Sequence, residues 1–219
     1  MITVGAIHSG ATSMAPVLEK AMQPLFSEFR LINIIDDSLI HTVIKDGKVT
    51  EKTVHRVVDL AEALVLAGAD VVVDTCSSIG EATEIADRIL EKPIVRIDQG
   101  MVNEAVSCYN KIGVLASLST TLLPTVDCVN KTASRQGKTV QIAYIVADGA
   151  FQKWIEGDPA AHDDLCVEAA KSLGDVEIIL LAQASMMRVQ ERIAAETGKM
   201  VISSPDYCAR QLREMFPKA

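Results

Sequence analysis

The chain has 219 residues, 49% of them hydrophobic but only 4% aromatic, so an aliphatic, alanine-rich core in one large domain or two small ones is expected. A formal charge of -8 with no cluster of lysine or arginine argues against a nucleic-acid partner, which would need a basic face. The opening "MITVGAIHSG" lacks the basic and long apolar regions of a signal peptide. No apolar run approaches the roughly eighteen residues of a membrane span, and a cytoplasmic location without membrane contact is expected.

Taken in chain order, the first strand is expected at "MITVGAI" and the second at "FRLINII". The polar segment "DDSLIHTVIKDGKVTEK" reads as a loop over a pocket, with His41 in it. Apolar residues spaced i, i+3, i+4 then give a helix in "VVDLAEALVLAG", followed by a strand at "DVVVD", a helix in "GEATEIADRILEK" and a strand at "PIVRI". Further strands follow at "KIGVLA", "TVQIAYIV", "VEIILLA" and "KMVIS", with "VQERIAAETGK" a helix before the last. Strands apolar on both faces and separated by helices imply parallel sheets covered on both sides, an α/β fold.

An internal repeat refines this. "GAIHSGATS" from Gly5 lies over "GVLASLSTT" from Gly113, and Asp37 falls over Asp148. The stretch from Val54 to Ile79 lies without a gap over that from Ala161 to Met186, setting His55 on His162, Ala63 on Ala170 and Ser78 on Ser185. Two similar Rossmann-like lobes with parallel sheets, related by a pseudo-twofold and facing one another, are expected. The first would comprise residues 1–99 and 205–219, and the second residues 100–204.

Ligands of open parallel sheets bind beyond the carboxyl ends of the strands, where helix N-termini point. The residues expected there are His8 and Ser9, then Cys76, Ser77 and Ser78. From the second lobe they are Ser117, Ser119, Thr120 and Thr121, with Gln183, Ala184 and Ser185. This set is rich in hydroxyls and poor in charge, which suits a small carboxylate. For Ser77, Ser78 and Ser185 the plainer alternative is helix N-capping. No GxGxxG follows a strand, and no HxH or HExxH spacing exists, so neither a nucleotide nor a metal site is expected.

"VVVDTCSSIGEA" holds a cysteine where an apolar strand hands over to a helix. Cys76 is either a small buried residue or a reactive one, its thiol expected to be lowered by the helix N-terminus and nearby N–H donors. The other cysteines, Cys108, Cys128, Cys166 and Cys208, fall in expected helices and read as core residues. The odd count and wide spacing argue against a disulfide framework. Of the histidines, His8 alone is expected at a strand end, as a second acid/base group. His55 and His162 read as surface or helix-packing residues.

The two-lobe repeat, "DTCSSIGE", "GVLASLSTT" and "EGDPAAHDDL" together resemble the aspartate/glutamate racemase superfamily, which includes hydantoin racemases, maleate isomerases and arylmalonate decarboxylases. The resemblance spans essentially the whole chain. It implies proton abstraction next to a carboxylate without any cofactor, by one cysteine from each lobe. Cys76 matches the first position. At the second, where racemases carry "LGCT" or "LGCA", this chain has "LLAQASM" with Gln183 in register, and glutamine cannot exchange a proton at neutral pH.

Three functions stay open. One is a cofactor-independent carbon-acid enzyme of the racemase/isomerase type, with Cys76 as general base and acid. A second is a single-cysteine decarboxylase. The third is a non-catalytic carboxylate-binding protein. Each takes a small carboxylate as its partner, and each is compatible with a homo-oligomer.

Overall fold

The computed structural model describes residues 1–10 and 14–218. Residues 11–13, the end of the repeat stretch "GAIHSGATS", lie outside the described residues. The chain divides into two compact units, Met1–Gly100 with Pro205–Ala219, and Met101–Ser204.

In chain order the first unit runs β1 (Ile2–His8), α1 (Ala15–Met22), β2 (Phe29–Ile35), α2 (Ser38–Asp46), α3 (Glu51–Leu66) and β3 (Val71–Asp74). A 3-10 turn over Ser77–Ile79 leads into α4 (Gly80–Ile89) and β4 (Ile94–Arg96). Helix α5 (Gln99–Cys108) leads into the second unit. That unit holds β5 (Lys111–Ala116), α6 (Ser119–Arg135), β6 (Gln141–Val146), α7 (Ala150–Ile155), α8 (Pro159–Lys171) and β7 (Ile178–Leu181). A second 3-10 turn, Ala184–Val189, opens α9 (Gln190–Thr197) before β8 (Met200–Ser203). Helix α10 (Ser204–Met215) returns to the first unit, where the Tyr207 carbonyl lies so close to Gly100 that a β-carbon there would come within 2.4 Å of it.

Each unit carries a four-stranded sheet, ordered β2-β1-β3-β4 in the first and β6-β5-β7-β8 in the second, with every pairing parallel. The expectation of two similar α/β lobes holds. The reason is visible in the strands: β3 and β7 are buried at every position, so both faces must be covered and each crossover must be helical. The repeat reaches the register itself. Gly5 pairs with Val72 and Gly113 with Ile179. A β-carbon at Gly5 would meet Ala69 at 3.2 Å, and one at Gly113 would meet Val176 at 3.2 Å. Those two neighbours share the gapless register that sets Val54 on Ala161. Each unit has its own core, around Ile7, Leu64, Val72 and Ile79 in the first and around Leu115, Val167, Ile179 and Met186 in the second.

Two sequence expectations fail. His41 lies in helix α2 rather than in a loop. Leu39 and Val43, one turn apart, are both buried and anchor this short helix, which Gly47 ends with a left-handed φ of 67°. Cys108 is exposed at the last position of α5, with its sulfur beside Glu104 Oε1 at 3.8 Å, so it is not a core residue. Cys128, Cys166 and Cys208 are buried as expected. The repeat mates His55 and His162 differ: the first is exposed, whereas the second is buried against Trp154 and bonded to Asp163.

Candidate active site

The pleat and parallel register place Ile34, Ile7, Asp74 and Arg96 in one row across the first sheet, just short of its carboxyl edge. The chain beyond that row supplies the site. His8 closes β1 and is buried, with both ring nitrogens engaged. Nε2 lies 2.9 Å from Asn33 Oδ1, and Nδ1 lies 3.0 Å from Thr75 Oγ1 and accepts the Met14 N–H at 3.3 Å. The Met14 bond requires a lone pair on Nδ1, which places the proton on Nε2, donating to Asn33. Burial holds the His8 imidazole below its ordinary titration range, with the Asn33 bond opposing. His8 therefore ties together the ends of β1, β2 and β3 and the start of α1.

Thr75 hands this network to Cys76. Its hydroxyl lies 3.0 Å from the Ile7 carbonyl and its N–H bonds the same oxygen. Cys76 follows in extended conformation as the cap residue of the 3-10 turn and is partly exposed, while Ser9, Ser77 and Ser78 around it are buried. Ser9 and Ser78 both direct hydrogen bonds to its sulfur, Ser78 through backbone and side chain. Against these, burial and then the charge of Asp74 push the thiol up to about 11. The sequence expectation of a lowered thiol is therefore corrected. The turn leaves the sulfur poorly solvated, and that burial, with a carboxylate two residues away, outweighs the Ser9 and Ser78 donors.

The sequence reading missed that carboxylate. Asp74 closes β3, fully buried, with Oδ1 accepting the Cys76 N–H at 2.9 Å and Oδ2 accepting the Thr83 hydroxyl from α4. Burial pushes it up to about 7, with the Thr83 and Cys76 bonds and Arg96 opposing and Asp98 adding. Beside it Arg96 is buried, held by two 2.8 Å bonds to Asp98 and one of 2.9 Å to Glu84. Its guanidinium lies against Gly80, which opens α4 without a side chain to block it. The signal for both residues was present: a charge at the end of "VVVD" and another inside "PIVRI" interrupt runs that should be apolar throughout.

In the second unit Gln183 occupies the position that Cys76 holds in the first. Its Oε1 accepts the Ser117 N–H at 2.7 Å, and its amide donates to Ser117 Oγ at 2.9 Å. Ala184 and Ser117 are buried, whereas Ser185 and Ser119 are exposed. Thr121 is buried. Thr120 lies in the first turn of α6, and its buried Oγ1 has no hydrogen-bond partner. Its carbonyl would ordinarily accept from residue 124, which is Pro124 and has no N–H. No side chain caps α6, α4, α9 or either 3-10 turn, so the pocket serines are not the N-caps that the plainer alternative would make them. Among the described residues no three His, Cys, Asp or Glu side chains cluster as metal ligands, and no helix is long and apolar enough to cross a membrane.

The fold is that of known racemases. A glutamate racemase isoform from Bacillus anthracis superposes with a TM-score of 0.78 at 17% identity, over 99% of this chain and 82% of that one. An allantoin racemase from Klebsiella pneumoniae gives 0.69 at 13% identity, over 99% and 88%. An arylmalonate decarboxylase gives 0.60 at 18% identity, over 96% and 92%. No curated protein sequence matches significantly. Residues 4–212 match the family model described as Asp/Glu/Hydantoin racemase, and the chain belongs to that family, whose members are enzymes of the cofactor-independent racemase superfamily.

Proposed function

We propose that this protein is a cofactor-independent carbon-acid enzyme of the racemase/isomerase type, in which Cys76 moves a proton at the carbon next to the carboxylate of a small substrate. One observation carries the reading: a partly exposed thiol at a strand-to-helix turn whose sulfur receives hydrogen bonds from Ser9 and Ser78. Such donors stabilise the thiolate when it forms. The Cys76 thiolate takes the C–H proton, the electron pair passes into the carboxylate, and the thiol so formed, after exchange with solvent, returns a hydron to carbon and is again the thiolate. Ser77, opening an uncapped turn, has an N–H suited to a substrate oxygen, while Ser78 beside it is committed to the Cys76 sulfur. In the second unit the uncapped start of α6, with the unpaired Thr120 hydroxyl, is likewise suited to an anion. Ser117, Thr121, Gln183, Ala184 and Ser185 surround the corresponding strand ends. His8, with both nitrogens committed, orients Thr75 and Cys76 rather than exchanging protons.

A second reading is favoured by the thiol itself. With its titration near 11, only about one Cys76 in 10⁴ is ionised at pH 7. A resting thiol is poised to give a proton rather than take one. Decarboxylation needs no more: the C–CO2 bond breaks, the electron pair stays on carbon, and the thiol protonates it. Gln183 at the second position agrees with a single proton-transfer group. A panel of amino, keto, hydroxy and malonate-type carboxylates in D2O, followed by NMR, separates the readings. Exchange at the α-carbon supports the first and loss of CO2 the second. No Cys76-dependent reaction with any member would overturn both.

A further inference from the structure

We propose that Asp74 is a positioning residue for Cys76: its buried carboxylate holds the cysteine's own N–H and, from the same strand end, sets a negative charge against formation of the thiolate. This rests on the reading of Cys76 as the proton-transfer group. Three observations carry it. The first is contact: Asp74 Oδ1 takes the Cys76 N–H at 2.9 Å, and the two side chains stand two residues apart on extended backbone at one strand end. The second is location. Asp74 is 1% exposed, and a buried carboxylate costs several kcal/mol unless neutralised. The cation beside it, Arg96, is held by Asp98 and Glu84 and acts on Asp74 through space.

The third observation is an internal control. In the repeat, Asp74 corresponds to Leu181, Thr83 to Gln190 and Cys76 to Gln183. Leu181 pairs with Leu115 as Asp74 pairs with Ile7, and it is equally buried. The fold therefore does not require an acid at this strand end. The unit without the thiol carries a leucine there, and the unit with the thiol carries the carboxylate. The charged groups bearing on the pair are Arg96 at the end of β4, Asp98 beyond it, and Glu84 of α4 through Arg96. Among the described residues, the hydrogen-bond donors set against Asp74 at the sulfur are those of Ser9 and Ser78.

The test is the pH dependence of Cys76 alkylation by iodoacetamide, followed by mass spectrometry of the Cys76 peptide so that exposed Cys108 does not contribute. Only the thiolate reacts, so the midpoint of the rate profile reports its ionisation. The wild-type midpoint is expected near 11. Asp74→Asn keeps an acceptor for the Cys76 N–H and removes the charge, and Thr83 can turn its hydroxyl to the Ile79 carbonyl. Its midpoint is expected at least one pH unit lower, giving about tenfold faster alkylation at pH 8. Asp74→Leu, the residue of the repeat mate, is the second variant should asparagine disturb folding, with the same direction expected. An ordinary wild-type midpoint near 8.5, or an unshifted midpoint in the folded variants, overturns the proposal. A shifted midpoint in a protein that turns over no carboxylate would leave the role of Asp74 standing and remove the proposed function. Cys76-dependent turnover with an unshifted midpoint would do the reverse.

Discussion

Replacing Gly80 with alanine strikes the junction between the reactive turn and the buried charges beneath it. A β-carbon at Gly80 would lie 2.4 Å from Arg96 Cζ, 2.6 Å from its Nε and 2.7 Å from Nη1. The end of an arginine could usually swing aside, but this one is clamped by Asp98 and Glu84 with three bonds of 2.8 to 2.9 Å. Gly80→Ala must therefore displace the guanidinium, leaving Asp98 buried without its bidentate partner, or push α4 off the sheet. Breaking a buried ion pair costs about 3–5 kcal/mol. Alanine returns up to about 1 kcal/mol of helix propensity. A net loss of about 2–5 kcal/mol is expected, visible as a thermal midpoint lowered by roughly 4–20 °C. Urea and thermal unfolding of the two proteins measure it. A variant as stable as wild type, or more so, would refute the claim that the Arg96 cluster is rigid.

Three further outcomes are expected. Gly5→Ala and Gly113→Ala should each cost about 1–3 kcal/mol in chemical denaturation. The first should cost more, because its β-carbon would approach Leu64 Cβ to 2.9 Å, against 3.2 Å for the closest contact at Gly113. His8 titrates lower in the folded protein than its unfolded value of 6.5, so the unfolded chain binds more protons just below that pH. Its contribution to stability is lost as pH falls below 6.5, and His8→Asn should flatten that part of a plot of thermal midpoint against pH. Asp74 has the opposite sign. Its rise from 3.8 to about 7 means the folded state holds the proton longer, so stability falls as pH rises through that window, by up to about 4 kcal/mol at about 1.36 kcal/mol per pH unit. Asp74→Asn should accordingly compare better with wild type at pH 8 than at pH 4.

Much of the fold could be read from the chain because parallel strands buried on both faces leave unbroken apolar runs. "FRLINII" and "KIGVLA" are strands β2 and β5 to the residue. Helix α2 escaped because only Leu39 and Val43 anchor it, in a segment otherwise polar. The positions of His8, Ser9 and Cys76 followed from the rule that parallel sheets work at their carboxyl ends. What these side chains do there did not follow. The bonds that commit His8 join residues 67 and 25 apart in sequence, and no local pattern records such a meeting. Asp74 looked like the boundary of a strand, and only its burial shows it to be an uncommon acid. The thiol was misjudged for the same reason, since helix N-termini are visible in sequence and desolvation is not.

The claim on which the functional reading turns is that Cys76 transfers the proton. It is tested most directly by NMR of wild type and Cys76→Ser with the carboxylate panel in D2O. Wild type is expected to incorporate deuterium with retention, or to release CO2 with one stereochemical outcome. Cys76→Ser should lose at least about a thousandfold in rate, since a hydroxyl neither gives nor takes this proton readily at neutral pH, while its thermal midpoint stays near that of wild type. Turnover that survives in a folded Cys76→Ser protein would contradict the assignment.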